Sequence, residues 1–549
     1  MPKYAALWRA VPVLATGVAV LSVSLAQARN PAAARGAPAV TLVQSANLKA
    51  DEGFLASGDL AGRSAGSVED RIATDYIASE FVRFGLTPAG DAGTFFQNFT
   101  FLTADIDRER TGLKATVAGA EHTYPLGDDV GWLRQSLRPQ TACGPIVFAG
   151  YGISTPEYGY DDFAGLDVKG KIVLVFSREP QANDPRSPFM GAWETYHALN
   201  WDKVEQIRKR GAAGILLIRD RAPPAFKPTP ASSPRPSGGP NYALDGPMYD
   251  IGAFSVSRSL ADRLLEPAAR NSDALQAAID HSLRPASFAV PNASACLTKA
   301  FDHVEEHRGR NVLALLQGTD RRRNRKAVLV SAHHDHMGAQ NGHIYYGADD
   351  NASGVAGLIE IARAFAKGGV RPRRSVLFVS YDGEERIFLG SYYYVTHPAV
   401  PLDHTVAVLN IDMIGRNVED ANWPVPRDGN VNMVNVLGTR YNPALRAIFA
   451  RENRAIGLKL DYKMDVVDPD SLWSRSDHFW FATLHVPQAE FQTGLHPDYH
   501  TDHDTPDRIN YPKLTKIVRL VFLTTADLAS GDTRIEFVPA GAPPGASPR

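Results

Sequence analysis

Hydrophobic positions along the chain fall into distinct textures, and each predicts a different kind of structure. Behind Ser67, residues Ile72, Tyr76, Ile77 and Phe81 recur at helical spacing and Gly85 ends the run. This predicts a helix capped by Ser67 with those side chains inward. Residues 93–120 read as short strands joined by turns. Between about 120 and 290 the apolar runs are short, as at 145–149 and 171–176, and Gly, Pro and Asp separate them. That is the pattern of a smaller β-rich unit. Within it, 203–217 predicts a helix, a break at Gly211 and a buried strand at 214–218. Past about 310, continuous apolar runs at 327–332, 375–380 and 406–411 predict strands covered on both faces. Between the first two lies a helix at 353–367, with Val355, Leu358, Ile359, Ala362 and Phe365 on one side and Gly368-Gly369 as its stop. A last helix is predicted at 512–529. The layout is α/β: a mixed, mostly parallel sheet flanked by helices, with a smaller β-rich domain inserted.

The ends of the chain depart from this. Lys3 and Arg9 precede an apolar run at 10–25 that is followed by Ala26-Gln27-Ala28. A basic start, a short apolar stretch and a small-x-small end predict a secretory signal peptide at 1–28, too short for a comfortable membrane span. A polar, Ala-rich flexible lead is expected at 29–50, a Pro-rich loop at 222–240 and a disordered Pro, Gly and Ala tail at 538–549. No other stretch is long and apolar enough to cross a bilayer, so no stable membrane span is expected once the signal is cleaved, and the location expected is periplasmic or secreted.

Composition narrows the function. The 549 residues exceed one hydrophobic core. Lys plus Arg total 58 against 60 Asp plus Glu, a formal net charge of -2 that offers no field for gripping nucleic acid or an anionic membrane. Specificity must come from a local site. Only Cys143 and Cys296 are present, and neither has a neighbouring Cys or His at ligand spacing, which disfavours a thiolate metal site. Whether they pair is left open.

In an open α/β sheet, ligands gather beyond the carboxyl ends of the strands. Here the first buried run ends in His333-His334-Asp335-His336, the next in Asp382-Gly383-Glu384-Glu385 and the third in Asp412. Two loops add Asp349-Asp350-Asn351 and Asp498-Tyr499-His500. A single Asp in such a place is usually a turn former, and a single His is usually a satisfied surface or core residue. Their recurrence at strand after strand is different, because charged groups seldom follow fully buried strands unless they are paired or bind a metal. Imidazoles and carboxylates without thiolates favour Zn2+, with Mn2+ or Co2+ as alternatives. Adjacent glutamates suit a division of labour between metal ligand and general base.

The segments His333-His334-Asp335, Gly347-Ala348-Asp349-Asp350-Asn351-Ala352-Ser353-Gly354, Gly383-Glu384-Glu385, Asn410-Ile411-Asp412-Met413-Ile414-Gly415 and Asp498-Tyr499-His500-Thr501 resemble the M28 metallopeptidase family in order and spacing. Gly150-Tyr151-Gly152-Ile153 and Arg210-Gly211-Ala212-Ala213-Gly214 are similar to the protease-associated domain often inserted in such enzymes. The resemblance implies a peptidase domain split into 51–118 and 291–537 around an insert at 119–290. It implies two divalent metal ions, with His333 and Glu385 on different ions, Asp350 bridging, and Asp412 and His500 completing the shells. Asp335 would orient His333, Glu384 would be the general base, and Tyr499 would stabilise the developing oxyanion. Arg475 is a candidate substrate contact. His334, His336, His478, His496 and His503 are taken as non-ligands. The expected activity is removal of N-terminal residues from a peptide substrate by a hydroxide bridging the metals. A carboxypeptidase or glutaminyl cyclase of the same fold, and a non-catalytic binding protein, are the alternatives. The Arg386-Ile387 that follows Glu385 departs from the family's Leu-Gly, beside the expected substrate pocket.

Overall fold

The computed structural model describes residues 39–538 apart from 134–135, 183, 185, 190–194, 221–240, 247–250, 418–429 and 466–471. The predicted signal peptide, the whole of the Pro-rich loop and nearly all of the tail lie outside the described residues.

A 10-stranded sheet organises the larger domain. Its spatial order is Asn241–Leu244, Phe96–Ile106, Phe301–Leu316, Ser375–Tyr381, Ala327–His333, Thr405–Ile411, Gln488–Gln492, Met433–Leu437 and Lys459–Asp461, with Thr87–Pro88 pairing beside Phe301–Leu316. The four strands at its centre, from Ser375–Tyr381 to Gln488–Gln492, are parallel, so their carboxyl ends share one edge. Both faces are covered. Val328, Val330 and Ala332 pack with the helices Gly354–Lys367 and Tyr511–Ser530, whereas Ala327 and Leu329 face the layer that holds Tyr394, Phe479 and Trp480. Burial on both faces is why these strands read as unbroken apolar runs.

The smaller domain is an 8-stranded sheet running from Gly112 to Lys299. The chain leaves the larger sheet along Phe96–Ile106 and returns along Phe301–Leu316, which are antiparallel neighbours. Beyond them Gly112–Val117 and Phe288–Lys299 pair in the same way, so the insert grows from a two-stranded stalk, and it returns one strand, Asn241–Leu244, to the edge of the host sheet. Cys143 and Cys296 lie opposite one another in this smaller sheet and form a disulfide.

Some expectations are corrected. The helix Ser45–Leu55 begins inside the stretch read as a flexible lead. Its inward face mixes Leu48 and Leu55 with Asp51 and Glu52, which disguises the apolar periodicity. The helix Val68–Arg83 is capped by Ser67, whose side chain accepts the amide of Asp70, but Ile72 points to solvent. The buried face is instead Asp70, Ala73, Thr74, Ile77 and Phe81. Residues 93–120 form a long strand, Phe96–Ile106, followed by Gly112–Val117.

Candidate metal centre

The carboxyl edge of the four central strands carries the expected residues. His333 ends one strand, and Asp412 directly follows Thr405–Ile411. After Ser375–Tyr381 the chain turns at Gly383, whose φ of 71° suits glycine, and the turn returns Glu384 and Glu385 over the strand exit. Gly347 takes φ 58°, and a Cβ there would lie 2.2 Å from the carbonyl of Asp350 and 2.5 Å from the ring of His336. Only glycine allows that loop to pass.

Asp350 sits at the centre. His333 Nε2 lies 3.3 Å from its Oδ1 and 3.3 Å from Asp412 Oδ1. On its other side, His500 Nε2 lies 3.0 Å from Asp350 Oδ2 and 3.1 Å from Glu385 Oε2. One carboxylate thus presents an oxygen to each of two imidazole–carboxylate pairs. Asp349, the adjacent alternative, turns away: its Oδ1 accepts the amide of Gly415 and its Oδ2 lies 3.5 Å from His496. Glu384 Oε2 is 3.9 Å from His333 Nε2 and joins neither pair.

The supporting contacts refine the expected roles. His333 Nδ1 lies 3.2 Å from the carbonyl oxygen of Asp335, closer than the 3.7 Å to its carboxylate. The Asp335 carboxylate accepts the amides of Glu384 at 2.9 Å and Glu385 at 3.3 Å, so one residue fixes both the imidazole and the paired glutamates. Tyr499 stacks on His500 with ring centroids 3.7 Å apart, and Arg475 donates to its hydroxyl at 3.1 Å. Arg475 therefore enters through Tyr499.

Three contributors escaped the sequence reading. His336, taken as a non-ligand, has Nδ1 2.8 Å from Glu385 Oε1 and groups with Asp350 and Glu385 at ligand spacing. Ser476 donates to Asp412 Oδ2 at 2.7 Å. Arg63, fully buried, donates to the carbonyls of His334 at 2.7 Å and Gly347 at 2.6 Å, tying both ligand-bearing segments to the N-terminal region. The Arg63 segment also holds His336, whose amide donates to the Arg63 carbonyl. Arg63 is hundreds of residues away in sequence, and no local pattern marks it.

Electrostatics follow from this crowding. Burial alone would lower His500, but Glu385 and Asp350 beside it push it up to about 10. Burial opposes ionisation of Asp350 as well, yet hydrogen bonds to His333 and His500 hold it well below the usual carboxylate range. Glu384 is driven well above that range by burial, and Glu385 beside it adds to the rise. Such a cavity, rich in carboxylate and imidazole, calls for cations. His336 Nε2 is buried without a hydrogen-bond partner among the described residues, beside the Asp350, Glu385 and His500 donors. These nitrogen and oxygen donors fit a divalent metal, and the absence of thiolates suits zinc in a hydrolytic site.

The chain is similar to several known proteins. The family model described as peptidase family M28 matches residues 311–525, and that of the PA domain matches 132–264. A vacuolar membrane protease of Ajellomyces dermatitidis is 30% identical over 119 residues, which is 20% of this chain and 11% of that protein. The chain thus spans only a small part of the length of those relatives. A protein named "Probable glutamate carboxypeptidase AMP1" from Arabidopsis thaliana is 27% identical over 393 residues, covering 67% of this chain and 50% of that one. Among solved structures, an aminopeptidase from Aneurinibacillus sp. strain AM-1 aligns over 91% of this chain and 97% of its own, at 19% identity and a TM-score of 0.45. The two family models assign this chain to peptidase family M28 over residues 311–525, with a PA domain over residues 132–264.

Proposed function

We propose that the chain is an exported exopeptidase that removes N-terminal residues from peptides with two divalent ions, Zn2+ favoured. The observation that carries this reading is the placement of Asp350, with one oxygen toward His333 and Asp412 and the other toward His500 and Glu385. His333, Asp350 and Asp412 would hold one ion, and Asp350, Glu385 and His500 the other. When bound, these ions polarise the scissile carbonyl and acidify water. Glu384, which lies outside both groups, accepts the proton of the attacking water and returns it to the leaving amine. The Tyr499 hydroxyl donates to the carbonyl oxygen as it gains charge, and Arg475 fixes that hydroxyl. Asp335 keeps the paired glutamates in register.

The insert supports a role in access. Its helix Asn200–Lys209 faces the segment after Glu385 across a cavity of about 390 Å³ lined by Trp201, Val204, Ile387, Leu389, Tyr392 and Trp480. The disulfide supports export, because such bonds persist in oxidising compartments.

Carboxypeptidase action is the second reading, favoured by the name of the Arabidopsis relative. It needs a cation for the substrate's terminal carboxylate, and Arg416 is already held by Asp498 at 2.7 Å. Purified protein assayed on free and N-terminally blocked peptides separates the readings: aminopeptidase action requires the unblocked amine and disappears on chelation. Glu384→Gln should keep its metal and lose about 10²–10⁴-fold in turnover. Cleavage of blocked peptides from the C-terminus would reject the proposal.

A further inference from the structure

A separate cluster lies behind the candidate centre. Asp70 projects from the first turn of Val68–Arg83, His334 follows the strand Ala327–His333, and Asp382 follows Ser375–Tyr381. Each offers a ligand atom, and these atoms lie within 4.8 Å of one another. None of the three belongs to the groups around Asp350. We propose that Asp70, His334 and Asp382 bind a further divalent cation, of the Zn2+ or Mn2+ class, that fastens the N-terminal helix to two strand exits of the peptidase sheet.

The argument begins with His334, which is wholly buried. Its Nδ1 lies 2.9 Å from Ser380 Oγ, a contact that aims Nε2 at the carboxylates, 3.3 Å from Asp70 Oδ1. Nε2 has no partner besides that carboxylate, Asp70 accepts a backbone hydrogen bond from Gly66, and Asp382 Oδ1 has no hydrogen-bond partner among the described residues. The remaining Asp382 oxygen accepts the Arg310 amide at 2.8 Å.

No side-chain cation contacts the two carboxylates among the described residues. The Arg310 guanidinium is engaged by Thr74, the Arg71 carbonyl and Asp75. That of Arg63 is engaged by the carbonyls of Leu55, His334, Tyr346 and Gly347. Two buried carboxylates facing an imidazole nitrogen, with the Arg310 and Arg63 guanidinium groups turned elsewhere, are held together by a metal or must share a proton. One imidazole and two carboxylates form a borderline donor set that leaves a coordination position for water.

Crystals of the full chain grown with Zn2+ and measured across the zinc absorption edge test this without a variant. The expected anomalous map has a peak between Asp70, His334 and Asp382 in addition to those at Asp350. Elemental analysis should then give one metal fewer per chain for both Asp70→Asn and Asp382→Asn, while Asp350→Asn retains the metal at Asp70. A map with peaks at Asp350 and none at Asp70 overturns this proposal and leaves the proposed function standing. A peak at Asp70 alone supports it and removes the two-metal reading of the Asp350 site.

Discussion

The two sheets of this protein are built alike and end differently. In the insert, Ile172–Phe176, Gly214–Ile218 and Gly252–Val256 are parallel strands covered on both faces, as are the central strands of the peptidase sheet. Both sets release charged residues at their carboxyl ends. In the insert these charges find partners: Arg178 lies 3.1 Å from Asp220, and Arg258 lies 2.9 Å from Asp273. In the peptidase sheet Asp350, Glu384, Glu385 and Asp412 converge with imidazoles, and among the described residues no arginine or lysine forms an ion pair with them, while Asp335 is used to hold the glutamate amides. Parallel strands supply an edge, and the residues released there decide whether the edge closes on itself or waits for a cation.

The sharpest break of this comparison is Asp350→Asn. It removes the carboxylate shared by both imidazole pairs, so metal binding at both positions and about 10²–10⁴-fold of the activity should be lost together. The metal-free variant should melt below the metal-free parent at neutral pH, because the hydrogen bonds from His333 and His500 that hold Asp350 ionised are weakened. Elemental analysis and calorimetry in chelator check both halves. Retained metal at wild-type stoichiometry would end the bridging assignment.

Much of this edge was legible before any coordinates. The runs at 327–332, 375–380 and 406–411 emerge as strands because burial on both faces leaves no other pattern, and the polar residues that end them gather at the candidate centre. The insert was legible as a change of texture. What stayed hidden depended on distant partners. His336 reads as one histidine among several until the Arg63 segment pins it beside Glu385. His334 and Asp382 gain meaning only when the helix carrying Asp70 packs across them, and the inward turn of Asp70 is also why Ile72 faces water. The helix Ser45–Leu55 was obscured by its own buried acids, of which Asp51 accepts from Tyr76 at 2.7 Å.

The disulfide measures how far the insert stands alone. Cys143 and Cys296 are separated by 153 residues, and their bond closes most of the insert into a loop. Replacing both with Ser should cost about 2–4 kcal/mol of unfolding free energy by denaturant titration. Metal content at Asp350 should not change, since no ligand lies between the two cysteines. Loss of metal in that variant would show that the sheets are energetically coupled.

A buried acid in the insert gives a pH signature that the peptidase edge would mask. Burial pushes Asp162 up to about 7, against the hydrogen bonds it receives from Tyr160 and the amides of Tyr151 and Ile153. The folded value lies above the unfolded one, so the folded protein binds this proton more tightly. Its contribution to stability is complete below about pH 4 and is lost as pH rises through 7. Asp162→Asn should therefore gain on the parent between pH 5 and pH 7 by at most about 1.4 kcal/mol per pH unit. Melting both proteins across that range checks the sign, and parallel curves would mean that Asp162 is ionised throughout.

The smallest effect is expected where the insert's strand exits meet. Asp220 sits between Arg178 at 3.1 Å and Arg258 at 3.9 Å, with about a quarter of its side chain exposed. Water screens such a pair, so Asp220→Ala should cost about 0.2–1 kcal/mol. Arg258 keeps Asp273 and Gln276, which limits the charge left behind. Peptidase turnover and metal content should be unchanged. The same chemical change at Asp350, a carboxylate deleted at the end of a parallel sheet, is predicted to abolish both. If Asp220→Ala instead cost several kcal/mol or altered turnover, the insert's edge would not be the closed counterpart of the peptidase one, and the distinction between paired and waiting charges would fail.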